Sequence, residues 1–269
     1  MKYMMYCNCK IFFIKKLFSY SKKPPKEKEF NIKKKYKREY FECKNCGHIS
    51  AKLFFNLKDI YNKEYFDYTY SSLDKLKTRF NFVKNLKFKN SDNKNRVGRI
   101  NEYFDKKKNL DVLDIGSGMG IFLHEMKKKQ WNCLGLELDK RYKKFCNEFL
   151  KIKVLNIKFQ NLKINKKFNL ITFNKVLEHV ENPITLLKIS SKFLKKDGKI
   201  YIEVPDSNVK KLGKLRDEFC IDHLHLFSIQ SVSNMASRSG FSVDFVKRII
   251  DPSGKYTIFA FLKKNKNKK

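Results

Sequence analysis

The rhythm of hydrophobic and polar positions changes near residue 109. Beyond it, short apolar runs alternate with stretches in which apolar residues recur every three or four positions. The runs predict buried strands and the stretches amphipathic helices. "LDVLDI" (110–115), "CLGLEL" (133–138), "IKVLNI" (152–157), "NLITFN" (169–174) and "KIYIEV" (199–204) read as five strands. Between them, "GIFLHEMKKK" puts Phe122, Leu123 and Met126 on one helical face, and "DKRYKKFCNEFL" does the same with Tyr142, Phe145, Cys146 and Phe149. In "NPITLLKISSKFLKKDGK", Asn182 can cap, Pro183 suits the first helical position, and Gly198 is expected to stop the helix. A helix within Gln230–Arg238 precedes two strands, "FSVDFVKRI" and "YTIFAFL", close enough that "DPSG" must join them as a hairpin. The alternation predicts an α/β fold: a Rossmann-like, mostly parallel sheet with helices on both faces and one antiparallel edge hairpin.

Upstream the pattern is weaker, and three further divisions are expected. Residues 1–60 hold four of the seven cysteines and read as a small N-terminal module. Residues 61–108 form an aromatic, then helical connector, ending in the capped helix Ser91–Phe104. Residues 109–264 are the α/β domain and 265–269 a basic tail.

Charge changes this picture little. The net charge is +34, from 61 Lys+Arg against 27 Asp+Glu, yet only eight of the 61 are Arg. Lys, Asn, Ile and Phe are all encoded by AT-rich codons, so the excess reads as a solvated Lys surface. Arg, the better bidentate ligand for phosphates and bases, is scarce. Nucleic acid is therefore a disfavoured partner. No apolar run approaches a membrane span. The start lacks an apolar signal region, and seven cysteines without an export signal point to a reducing cytoplasm.

The chemistry begins at "VLDIGSGMGIF" (112–122). Gly116, Gly118 and Gly120 are spaced G-x-G-x-G, one residue tighter than the dinucleotide fingerprint. That suits a loop passing under a ligand without phosphate. Asp114 would repel a diphosphate and suit an ammonium. Glu137, closing the second strand, can accept both hydrogen bonds of a ribose diol, while Asp139 is better placed to cap the next helix.

With "GLELD", "FNLITFNKVLEHVENP", "LLKISSKFLKKDGKIYIEVPD" and "HLHLFS", this turn resembles the class I S-adenosylmethionine (SAM)-dependent methyltransferases over roughly residues 109–262. The resemblance implies a seven-stranded sheet and SAM as methyl donor. It places the methionine end over Gly116–Gly120 and the ribose on Glu137, and adds Ser117, Leu138 and Asn174 to the donor contacts. The acid or amide that commonly meets the adenine is represented here by Gln160 and Asn161.

Ligands of open parallel sheets sit beyond the carboxyl ends of the strands. Glu178 and His179 follow the fourth strand; Asp222, His223 and His225 follow the fifth. One reading makes a histidine the general base, with His223 leading, His179 its rival, and Asp222 or Glu178 orienting the ring. The other makes Glu178, His179 and a later histidine a divalent-metal site that acidifies a hydroxyl. Only one of His223 and His225 is expected to reach the methyl.

"YFECKNCGHIS" contains Cys43-x-x-Cys46-Gly47, half of a zinc ribbon. A complete site would use Cys7, Cys9, Cys43 and Cys46, with His48 able to replace one. A cysteine module, an aromatic segment and this core together resemble a subgroup that methylates sugar-linked small molecules. That resemblance makes Tyr65, Tyr68 and Tyr70, with His225, acceptor-pocket candidates. The expected function is methyl transfer to a small, sugar-linked acceptor. The alternatives are an RNA or quinone-type acceptor, or a non-catalytic SAM-binding scaffold.

Overall fold

The computed structural model describes residues 14–25, 27, 36–55 and 73–265. Eleven strands among them form two sheets. The larger has seven strands in the order β10-β11-β8-β7-β4-β5-β6. Its parallel part comprises β4 (Asp111–Ile115), β5 (Asn132–Leu136), β6 (Lys153–Leu155), β7 (Phe168–Asn174) and β8 (Leu194–Pro205). β10 (Phe241–Ile250) and β11 (Tyr256–Lys264) form the expected hairpin, and β11 runs antiparallel to both β10 and β8. β4 begins the wound portion, with β5 on one side and β7 on the other, so the strand order reverses there and a crevice opens beyond its carboxyl end.

Helices cover both faces, following the apolar periodicity. α1 (Leu73–Asn85), α2 (Asp92–Tyr103), α3 (Ile121–Lys128) and α4 (Lys140–Glu148) precede α5 (Pro183–Phe193) and α6 (Ile229–Arg238). One core contains Leu76, Phe80, Val97, Ile100, Phe122, Met126 and Phe145 against the sheet. The other packs Ile184, Leu187, Val232 and Met235 on the opposite face. The caps lie where the sequence places them. Ser91 Oγ accepts from Lys94 N–H, Asp139 from Arg141 N–H, and Asn182 from Thr185 N–H.

Two local expectations are corrected. Gly198 does not stop α5. The helix gives way to extended backbone at Leu194, and Gly198 lies inside β8 beside a register shift. A Cβ there would come within 2.8 Å of the Phe168 carbonyl oxygen, so close strand approach explains the glycine. Phe149, expected in the core, caps α4 and stays exposed, with one face on Phe145.

The second sheet was not foreseen. β1 (Ile14–Tyr20), β2 (Arg38–Cys43) and β3 (Ile49–Leu53) form an antiparallel meander. β9 (His225–Leu226), a two-residue strand from the loop after β8, adds to its edge, pairing Ile49 with Leu226 and Ser50 with His225. Tyr20, Tyr40, Ile49 and Ala51 pack with Val209, Phe219 and Leu226, so this sheet shares its core with the α/β domain. Among the described residues no helix is long and apolar enough to cross a membrane.

Candidate functional site

The crevice has two ends. At one, β4 runs into the glycine turn. Gly116, Gly118 and Gly120 all have positive φ (+73°, +52° and +75°). At Gly120 an added Cβ would meet Cys146 Sγ at 2.7 Å and Leu150 Cδ1 at 3.0 Å, so the turn is pressed onto α4. At Gly118 nothing lies within 4 Å of that position, which leaves open space above the backbone.

Glu137 anchors this turn. Its carboxylate accepts from Gly118 N–H at 2.8 Å, Leu138 N–H at 2.7 Å and Asp139 N–H at 2.9 Å. Burial raises its pKa against the lowering effect of these amides. Leu138 beside it is an exposed apolar side chain, and Gln160 and Asn161 lie exposed on a short turn after β6.

Asp114 is buried beneath the turn. It accepts from Thr172 Oγ1 at 2.6 Å and Asn174 Nδ2 at 2.9 Å, and burial pushes its carboxyl up to about 7. A nearby cation would restore its charge. Ser117 Oγ and Asn174 Oδ1 are buried without hydrogen-bond partners. Open space at Gly118, two orphaned oxygens and a buried carboxyl that a cation would favour in its charged form together fit the cationic, phosphate-free methionine end of SAM.

At the other end lies a cavity of about 410 Å³. Its walls come from the turns after β7 and β8, from Tyr256 on β11, and from Glu27 beside the N-terminal sheet. Four expected residues meet there. The His179 and His223 rings are 4.8 Å apart, edge to face. His179 Nδ1 lies 3.1 Å from the Asp222 carbonyl and 3.4 Å from its Oδ2. These acceptors put the proton on Nδ1 and leave Nε2 to take another.

His223 Nδ1 faces the Glu218 carbonyl at 2.9 Å. That corrects one expectation: a backbone carbonyl orients His223, and the carboxylate of Asp222 serves His179. Burial holds His223 below the usual imidazole range. Burial would raise Asp222, but the two imidazoles beside it pull it lower overall. Glu178 is fully buried, with neither carboxylate oxygen hydrogen-bonded, and burial raises its pKa. Ligand-capable atoms of Glu178, His179 and His223 lie within 4.8 Å of one another, as do those of Cys220, Asp222 and His223. Either set could hold a cation.

His225 does not join them. It is fully buried between the two sheets, with Nδ1 3.1 Å from His48 Nε2. This removes it from the acceptor candidates and also removes His48 as a spare metal ligand, since its other nitrogen is 3.4 Å from Ser231 Oγ. Cys43 and Cys46 are buried at the turn between β2 and β3; among the described residues no third ligand joins them. Cys7, Cys9, Tyr65, Tyr68 and Tyr70 lie outside the described residues.

Two features escaped the sequence reading. Lys175, with φ +58°, lines the cavity and pairs with Asp251 at 3.4 Å. Arg96 and Arg99 of α2 clamp the buried Glu203 of β8, Arg99 at 2.6 Å. A carboxylate inside the apolar run "KIYIEV", in a chain so poor in arginine, was the available signal.

Residues 82–245 match the model of a family described as a methyltransferase domain. The ubiquinone biosynthesis O-methyltransferase of Pelagibacter ubique is 28% identical over 135 residues, 48% of this chain and 51% of that protein. Its counterpart in Idiomarina loihiensis is 28% identical over 122 residues, 43% and 50% of the two chains. The chain spans about half the length of the curated relatives it matches. Among solved structures, a 1,6-didemethyltoxoflavin-N1-methyltransferase from Burkholderia thailandensis, bound to 1,6-didemethyltoxoflavin and S-adenosylhomocysteine, superposes with a TM-score of 0.53. It is 13% identical, over 66% of this chain and 80% of that one. The plantazolicin methyltransferase BpumL gives 0.54 at 16% identity, over 74% and 94%. At these identities the likeness is one of fold.

Proposed function

The chain belongs to the methyltransferase-domain family and shares its fold with methyltransferases solved with S-adenosylhomocysteine, and from that premise we propose that it uses SAM to methylate a hydroxyl oxygen of a small, sugar-linked acceptor. When bound, SAM supplies a methyl group activated by its sulfonium. Ser117, Asn174 and Asp114 would hold its ammonium end, and the backbone over Gly118 would give it room. With three acceptor sites of its carboxylate taken by backbone amides, Glu137 would keep one on Oε2 for a ribose hydroxyl, and Leu138 would lie towards the adenine with Gln160 or Asn161 towards its amino group.

The observation that carries this reading is the meeting of His179, Asp222 and His223 on one cavity. Asp222 fixes the His179 tautomer, and Nε2 takes the hydroxyl proton as the oxygen attacks. His223 stays neutral beside it and gives a second polar contact. Methyl transfer is an in-line displacement, so the cavity contributes most by aligning the acceptor.

The cavity's size fits one sugar ring or a small aromatic. Its carboxylates (Glu27, Glu178, Asp217, Glu218, Asp222) outnumber its lysines (Lys175, Lys255). A phosphate would be repelled there, so the sugar enters and any diphosphate stays outside. The test is release of S-adenosylhomocysteine with nucleotide-sugars and with catechols, in wild-type and His179→Ala protein. No turnover of nucleotide-sugars, or undiminished turnover in the variant, would defeat the proposal.

A second reading has its own observation. Glu178 lacks partners for both oxygens and lies within ligand distance of both imidazoles. A divalent cation there would acidify the same hydroxyl. Turnover abolished by chelator and restored by one added metal would select this reading over the free base. A quinone-type acceptor would fit the ubiquinone biosynthesis O-methyltransferases named among the relatives.

A further inference from the structure

The sequence singles out His48 and His225, yet neither reaches the acceptor cavity. They meet instead between the two sheets, where both are buried. His48 Nε2 lies 3.1 Å from His225 Nδ1, and His225 Nε2 lies 3.2 Å from the carbonyl of Val180. Because that carbonyl can only accept, His225 Nε2 carries a proton and donates it. Its Nδ1 then accepts from His48 Nε2–H, so one set of tautomers satisfies the chain of bonds.

Val180 ends the short turn Leu177–His179 that carries Glu178 and His179. The neighbouring backbone runs the same way: Leu224 N–H donates to the Glu178 carbonyl at 2.8 Å, and Ala51 N–H donates to Leu224 O at 2.9 Å. The N-terminal sheet is thus wired to this turn through β9 by two routes, one of imidazoles and one of backbone.

We propose that His48 and His225 are positioning residues that lock the Glu178–His179 turn to the N-terminal sheet, making that sheet a working part of the acceptor site. The proposal rests on the reading of His179 as an acceptor-site group; its geometry does not depend on the acceptor. Losing the relay should loosen the turn while leaving the glycine turn unchanged.

Hydrogen exchange read by mass spectrometry on the full chain tests this without an acceptor. In His225→Phe, which fills the space but cannot donate, amides of residues 176–181 should exchange about fivefold faster, the worth of one buried hydrogen bond. His225→Gln, which carries a donor nitrogen near the place of Nε2, should restore the wild-type rate. His48→Phe should also speed the turn, though His48 does not touch it, and His48→Gln should recover it. Residues 114–120 should be unaffected in all four. Equal rates in the Phe and Gln variants at either position, or a wild-type rate in His48→Phe, would overturn the relay. If His225→Phe fails to fold, the His48 pair decides. Calorimetry with S-adenosylhomocysteine on the wild-type protein reads the donor site separately; absence of binding there would count against methyl transfer, while the exchange result would still decide the relay.

Discussion

At the end of the crevice proposed for the donor, most groups belong to the backbone or to residues close in sequence. Gly116 to Gly120 form one turn, and Glu137 reaches it from the end of the adjacent strand. The acceptor end is assembled from side chains that arrive separately: Glu27 from the N-terminal region, Lys175 to His179 after β7, Glu218 to His223 after β8, and Tyr256 from β11. The end proposed for the donor is thus one compact, short-range unit. Acceptor walls can change segment by segment without disturbing the sheet, which is how one fold serves many acceptors.

If the ends are as separable as they look, the largest effect should fall on one alone. His179→Ala should lower turnover by about 10²- to 10⁴-fold, the usual worth of a positioned base, and leave S-adenosylhomocysteine affinity unchanged by calorimetry. His223→Ala should cost less, since a backbone carbonyl takes its Nδ1 and burial holds the ring below the usual imidazole range. A parallel loss of donor affinity in either variant would show that the ends are coupled.

Glu137→Ala attacks the opposite end. It removes a carboxylate that three backbone amides share. Donor affinity should fall by about 10- to 100-fold, consistent with ~1.5–3 kcal/mol for hydrogen bonds to a charged group. An unchanged dissociation constant would disprove the ribose assignment.

Gly120→Ala and Gly118→Ala separate packing from conformation within one turn. Both carry the positive-φ penalty of ~1–2 kcal/mol. Only the first adds a clash, with Cys146 and Leu150. Thermal unfolding should therefore show Gly120→Ala as the less stable by a further ~1–3 kcal/mol. Equal melting temperatures would mean that the turn is not pressed onto α4.

A pH dependence at Asp114 probes the same end from beneath the turn. Burial raises its pKa to about 7, well above an unfolded value of about 4. Between these values the folded chain keeps a proton that the unfolded chain has lost. Stability contributed by this group is thus full below the unfolded pKa, falls as pH rises towards 7, and levels off above it. Asp114→Asn should flatten that slope in urea titrations at pH 5 and 8. Binding of a donor ammonium to the wild-type protein at pH 7 should release protons, seen as a calorimetric heat that varies with the buffer's ionisation enthalpy. No buffer dependence would place the ammonium away from Asp114.

Much of this molecule was decided locally. The strands from β4 to β8, the hairpin of β10 and β11, the caps at Ser91, Asp139 and Asn182 and the glycine turn all follow from periodicities and signals a few residues long. The place of Glu137 beside that turn was legible for the same reason. Tertiary structure alone decided the rest. β9 is two residues long and exists only because β3 offers it an edge. His223 and His225 differ in role because one meets the Glu218 carbonyl and the other meets His48, some 177 positions away in the chain. Asp222 serves His179 instead of its own neighbour because the turns after β7 and β8 close on each other. A tautomer, a hydrogen-bond partner and a buried charge are properties of surroundings, and no stretch of sequence contains its own.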